Sequence, residues 1–200
     1  TGTSTYAGAT NVNAGVLQLQ NGAAISDTAG AVSVANLATL QLLTSETISS
    51  YVGADDGANE NDSVLALGGN TLTTTGSATI ANVTSANGSL VAGTSIVDND
   101  TDVNVTGTGV FLQAGGSVGT LVNPIETTVA NLEGAAGTGY FVASTAGVNI
   151  GGVTAATGVS ATGGDIVITA AGAMTISENV TAPGAGTDVV LTTTDAAGAG

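Results

Sequence analysis

Lysine, arginine, histidine, cysteine and tryptophan are all absent from this chain of 200 residues. With no basic side chain, no ion pair between side chains can form, and fifteen acids leave a formal net charge of −15. The Lys and Arg contacts that supply nucleic-acid affinity are missing too, which excludes DNA and RNA as direct partners. Zero cysteine rules out a disulfide framework and thiolate metal sites. The usual general bases, thiolates and oxyanion clamps go with these residues. Carboxylate pairs of the kind glycosidases hold about 5–9 Å apart remain available, but aromatics that could hold sugar rings are 2% of the chain. No catalytic residue is therefore assigned, and the chain is not expected to be an enzyme. No apolar run approaches the roughly 18 residues of a membrane helix, so no membrane insertion is expected of this segment. The chain runs from Thr1 to Gly200 and is read as a piece of a longer protein. Lacking every trypsin site, it suits life outside the cell.

Val, Ile and Leu set among Thr, Ala and thirty-one glycines make up what is present. β-branched residues favour strands, and glycine at this density breaks helices. Disordered chains are poor in aliphatics and rich in Pro, Glu and Lys, whereas Pro occurs twice here and Lys never. The chain should fold. Apolar pairs spaced two apart recur throughout: Leu17/Leu19, Val32/Val34, Leu40/Leu42, Leu65/Leu67, Val103/Val105, Val110/Leu112, Val148/Ile150, Ile166/Ile168, Met174/Ile176 and Val189/Leu191. Such spacing points both side chains to one face of a strand. Between the pairs lies turn chemistry, as in Asn21-Gly22, Gly68-Gly69-Asn70, Asn87-Gly88 and Gly163-Gly164-Asp165. Residues 37–49 (LATLQLLTSETIS) could be helical from Leu37, Leu40 and Leu43, but the Leu40/Leu42 alternation and the threonines fit strand better.

Two all-β designs fit short strands at this spacing. One is a parallel solenoid of coils of roughly twenty residues, each burying its apolar face on the next; the other is a series of tandem β-sandwich domains. Few aromatics, small interchangeable inward residues, and Thr73-Thr74-Thr75 and Thr192-Thr193-Thr194 as outward ladders favour the solenoid. Eight to ten coils at about 4.8 Å each would make a rod some 40–50 Å long.

TYAGATNVNAGVLQLQNGAAISDTAG (residues 5–30) resembles the autotransporter-associated strand repeat of bacterial surface proteins, on its Tyr-x-Gly-x-Thr run followed by Asn-Ala-Gly-x-Leu-x-Leu and Asn-Gly-Ala. ATLQLLTSETISSYVG (38–53) and SVLALGGNTLTTTG (63–76) look like its second half. GGSVGTLVNPIETTVANLEGAAG (115–137), continued by residues 147–193, is similar to filamentous-haemagglutinin-like giant exoproteins. The resemblance implies a right-handed parallel β-helix over 1–200. It divides into an autotransporter-repeat-like part (1–76), a less regular part with an acidic turn (77–114) and a haemagglutinin-like part (115–200). It also implies a structural or adhesive extracellular fibre or stalk on a bacterial cell surface. Partners would then be neighbouring repeats, like chains, or a host or neighbouring cell. The alternative is a calcium-dependent binding module of a giant adhesin.

Two stretches break the rhythm: residues 53–62 (GADDGANEND) and 98–102 (DNDTD), which hold seven of the fifteen acids. Asp98, Asp100 and Asp102 are spaced like the start of a calcium loop, but such a loop needs Gly at position six and Glu at twelve; those positions are Val103 and Gly109. Asp55, Asp56, Glu60 and Asp62 have charge without a recognised spacing. The turns are read as solvated acids that keep the rod soluble and its edges unpaired, with no cofactor, and calcium at Asp98, Asp100 and Asp102 as the alternative. Asn-x-Ser/Thr triplets at Asn61, Asn82, Asn87, Asn99, Asn104 and Asn179 are read as turns. The threonines lack the register of an ice-binding face.

Overall fold

The computed structural model describes residues 4, 6, 8–27, 30–57, 62–155 and 158–194. Every regular element among them is a strand, twenty-one in all, and every pairing is parallel. The chain is a parallel β-solenoid. Tandem sandwiches, which need antiparallel strands, are excluded by this pairing.

One ladder runs the length of the stack, Thr10–Val32–Tyr51–Ala78–Ile96–Val118–Tyr140–Ile166–Val189, in eight parallel steps. That makes about eight turns, and at the interstrand spacing a stack of roughly 40 Å. Two more ladders close the cross-section. Leu40, Leu65, Val83 and Val105 stack on the second face, and Leu72, Leu90 and Leu112 on the third. All seven are completely buried. The period-two pairs are the mechanism: Val32/Val34, Leu40/Leu42, Leu65/Leu67, Val110/Leu112, Val148/Ile150 and Ile166/Ile168 point both members into the core. Val189 and Leu191 are exposed and Met174 half-buried because they lie on the last described coil, covered from one side. Val103 falls outside any strand.

Turn length varies from 18 residues (Ala78 to Ile96) to 27 (Tyr51 to Ala78), and the excess leaves the coil as loops at corners. Residues 38–48 form strands, Ala38–Leu42 and Glu46–Ile48, as the alternation indicates. Asn87-Gly88, expected to be a turn between strands, is instead a bulge inside Asn82–Ala92. Asn87 takes φ 66°, and the buried Ser85 hydroxyl accepts from Gly88 N–H at 2.9 Å and donates to the Gly109 carbonyl at 2.7 Å. The corner is thus bent without breaking the ladder. Thr74, expected to face outward, is buried, and its hydroxyl donates to the Gly76 carbonyl.

Tyr51 and Tyr140 are the bulkiest buried side chains, and a narrow core accommodates them with glycine. A Cβ at Gly134 would meet Tyr140 Cε2 at 2.6 Å; one at Gly53 would meet the Tyr51 hydroxyl at 3.2 Å.

Candidate functional site

Two loops leave the stack at one corner. Residues 54–63 join Ser50–Gly53 to Val64–Gly68, and residues 99–104 join Ile96–Asp98 to Val105–Ala114. The second of them reaches across 46 positions of sequence to the strand end from which the first departs, where Asn99 Nδ2 donates to the Gly53 carbonyl at 3.1 Å.

Asp98 is the last residue of its strand. With Ile96 inward and Val97 outward, alternation drives Asp98 inward, in register with Ile80. It is 6% exposed and Asp100 is 9% exposed, which corrects the reading of this turn as solvated. Asp98 Oδ1 accepts the Asp100 N–H at 2.9 Å, and Asp100 Oδ1 accepts the Asp102 N–H at 2.9 Å. The alternate spacing is thereby explained locally: each carboxylate caps the amide two residues on. That occupies one oxygen of each. Asp98 Oδ2, Asp100 Oδ2 and the Glu126 Oε2 of the following coil are buried with no hydrogen-bond partner.

Asn104 is the pivot, fully buried. Its Oδ1 accepts the Glu126 N–H at 2.8 Å. Its Nδ2 reaches Asp98 Oδ1 at 2.7 Å, Asp100 Oδ1 at 3.1 Å and the Ala81 carbonyl at 3.4 Å. Nδ2 carries two hydrogens, so three acceptors compete for two donors. Of the Asn-x-Ser/Thr positions, Asn104 is thus buried; Asn61 lies outside the described residues.

The second loop brings more negative charge. One carboxylate oxygen from each of Asp55, Asp56 and Asp62 lies within 4.8 Å of the others. Asp62 is buried, and its Oδ1 accepts the Asp56 N–H at 3.2 Å; Asp55 Oδ1 accepts the Gly57 N–H at 2.7 Å. Glu60 lies outside the described residues. Burial, reinforced by the charges of Asp98, Asp55 and Asp62, raises the Asp100 carboxyl to about 6 against the Asp102 amide that lowers it. Burial, reinforced chiefly by Asp98, raises Glu126 to about 7. Asp62 is raised by burial and by Asp55 and Asp56.

Comparison with protein-family models, curated proteins and solved structures finds no match to this chain. The chemistry of the corner rests on its own atoms.

The other buried acids supply the contrast. Glu46 accepts Ile25 N–H at 3.1 Å on Oε1 and Ala24 N–H at 3.2 Å on Oε2. Glu133, fully buried, accepts Val153 N–H at 2.7 Å on Oε1, and Thr154 N–H at 3.0 Å and the Thr154 hydroxyl at 2.6 Å on Oε2. Both oxygens of each are used, and each carboxylate ties a loop of an adjacent coil to the stack. Asp98 and Asp100 each keep one buried oxygen without a hydrogen-bond partner, as does Glu126 beside them and, away from this corner, Glu178. An all-oxygen, anionic set of this kind suits a hard cation rather than a metal favouring nitrogen or sulfur.

Asn104 and Glu126 escaped the sequence reading. The available signal was a separation of one coil: Asn104 and Glu126 lie 22 residues apart, the step that also joins Val105 to Thr127.

Proposed function

We propose that this chain is a structural or adhesive segment of an extracellular fibre or stalk on a bacterial cell surface, without catalysis of its own. The observation that carries the reading is the continuous parallel ladder from Thr10 to Val189. Each coil buries its apolar face on its neighbours, so length is added by repeating one unit, which is what a stalk requires. The composition supports an exposed milieu, since no trypsin site exists. A second reading, a calcium-dependent binding module of a larger adhesin, has the acidic corner in its favour.

Electron cryomicroscopy of the full-length protein tests the proposal. A layer line near 4.8 Å along the fibre axis and fibres shortened by roughly 40 Å on removing this segment are the expected results. Polysaccharide turnover that disappears with an acidic pair overturns it. Receptor binding abolished by chelation in an intact fibre would select the second reading.

A further inference from the structure

Hydrogen-bond donors run short where the 99–104 loop meets the following coil. Asp98 and Asp100 are 6% and 9% exposed, and Asp98 Oδ2, Asp100 Oδ2 and Glu126 Oε2 are buried with no partner. Asp98 Oδ1 and Asp100 Oδ1 already share the Asn104 Nδ2, whose two hydrogens also face the Ala81 carbonyl. The charges facing these groups are all negative. Asp100 faces Asp98 from its own turn, and Asp55 and Asp62 from the neighbouring loop. Glu126, on the next coil, faces Asp98, Asp100 and Asp102. No Lys, Arg or His exists anywhere in the chain to answer them. An unpaired buried carboxylate is costly, and like charges nearby add to the cost. A proton corrects both faults on a single oxygen, because it turns an acceptor into a donor and removes a charge.

We propose that this corner is a proton-operated latch: Asp100 and Glu126 take up protons on mild acidification, binding the 99–104 loop to the following coil, and release them above neutrality, freeing the loop while the stack stays intact. The tie on which the latch acts is Asn104. Its Oδ1 accepts the Glu126 N–H at 2.8 Å from one coil, while its Nδ2 donates to Asp98 and Asp100 on the other. Charging Asp100 and Glu126 sets the two ends of that bridge against each other. The ladder beside it does not depend on the bridge, since Val105 is fully buried and paired with Val83 and Thr127. Burial raises Asp100 to about 6 and Glu126 to about 7, which sets the working range. The direction follows from linkage. A carboxyl raised by folding keeps a proton that the unfolded chain has released. Its contribution to stability is complete below about pH 4, the unfolded value, and is lost as the pH rises through the folded one. Glu46 and Asp62 are raised as well, so substitution has to isolate the corner's share. The latch is a property of this corner and stands or falls independently of the fibre reading.

Thermal melts of the full chain from about pH 5 to about pH 8, with native-state hydrogen exchange at both ends, test the latch. The parent should lose roughly 5–10 °C across that range. After correction for the base-catalysed rise in intrinsic exchange, protection of the Asp100, Asp102 and Glu126 amides should fall at least about ten-fold. Leu112, in the ladder between Leu90 and Gly134, should keep its protection. Asp100→Asn and Glu126→Gln fix the neutral form, with an NH2 group available where an oxygen lacked a donor. Each should melt higher than the parent at about pH 8 and show a shallower pH dependence, and the double variant the shallowest. Asp165→Asn, whose carboxylate accepts the Asp188 N–H away from this corner, should keep the parent's slope, which separates the latch from general relief of the net charge. Corner amides equally protected at both pH values in the parent overturn the proposal, whatever the variants do. So do Asp100→Asn and Glu126→Gln chains with the parent's pH dependence, or a slope that Asp165→Asn flattens as much as they do.

Discussion

Replacing Glu133 by glutamine is the sharpest test of how this solenoid fixes its loops. The carboxylate is fully buried in a chain with no basic side chain to pair it; two amides and a hydroxyl of residues 153 and 154 hold it instead. Glutamine keeps the shape but exchanges one acceptor oxygen for an NH2 group. If the remaining oxygen stays with Thr154, which offers two donors, the NH2 faces the Val153 N–H across 2.7 Å, donor against donor. One hydrogen bond to a charged group is lost and the other two become neutral ones. At about 1.5–3 kcal/mol for a charged bond and about 1 kcal/mol for a neutral one, the loss is about 2.5–7 kcal/mol. In a chain of this size that lowers the melting temperature by roughly 5–28 °C.

Thermal denaturation by circular dichroism reads the global loss, and native-state hydrogen exchange reads the local one. The amides of Val153 and Thr154 should lose most protection, ahead of Ile150 in the preceding strand, whose place in the ladder with Leu132 is untouched. A Glu133→Gln protein melting within about 1 °C of the parent, with both loop amides still protected, would refute the argument that this carboxylate anchors the loop.

Other consequences are as direct. Leu90→Ala empties a fully buried position between Leu72 and Leu112 and should cost about 2–5 kcal/mol, whereas Val97→Ala, at a position 42% exposed, should stay within about 1 kcal/mol by denaturant unfolding. Gly134→Ala sets a Cβ at 2.6 Å from Tyr140 Cε2 and closer still to the Leu112 carbonyl, so a loss of at least about 2 kcal/mol is expected by the same assay. Burial pushes the Tyr51 and Tyr140 phenols well above the ordinary tyrosine value, the Ser63 hydroxyl opposing it at Tyr51 and the Glu133 charge adding to it at Tyr140. Unfolded tyrosines release their protons near pH 10 while these two hold theirs. Stability is therefore intact below pH 10 and falls above it by up to about 1.4 kcal/mol per pH unit for each tyrosine. Tyrosinate absorbance from two of the three tyrosines should appear together with unfolding; their ionisation in the folded chain would contradict the burial.

The fold was legible because its signal is local and repeated. Val32/Val34 or Ile166/Ile168 declares an inward face with three residues, and each coil repeats the declaration, so errors at Asn87 and Thr74 left the architecture unchanged. The same alternation, followed one step further, would have placed Asp98 inside: Ile96-Val97-Asp98 is an inward–outward–inward run. It was read as a solvated turn because acids seldom occupy core positions without a partner.

The partner question is where local reading ends. Whether Asp98 and Asp100 keep free oxygens depends on Asn104 dividing two hydrogens among three acceptors. It depends equally on Glu126 arriving one coil later and on a strand end 46 positions away meeting the same corner. None of these follows from spacing, since turn lengths here range from 18 to 27 residues and a change of a few residues in any one would re-pair the corner. What the composition did contain was the constraint that makes the corner consequential. A chain without a single basic residue can neutralise a buried carboxylate in three ways: backbone amides, as at Glu46 and Glu133, a bound proton, or an ion from outside. Where amides suffice, both oxygens are occupied. At Asp98 and Asp100 they are not, and burial raises the carboxyls of Asp100 and Glu126, which favours the second way, a bound proton, as the pH falls toward neutrality and below.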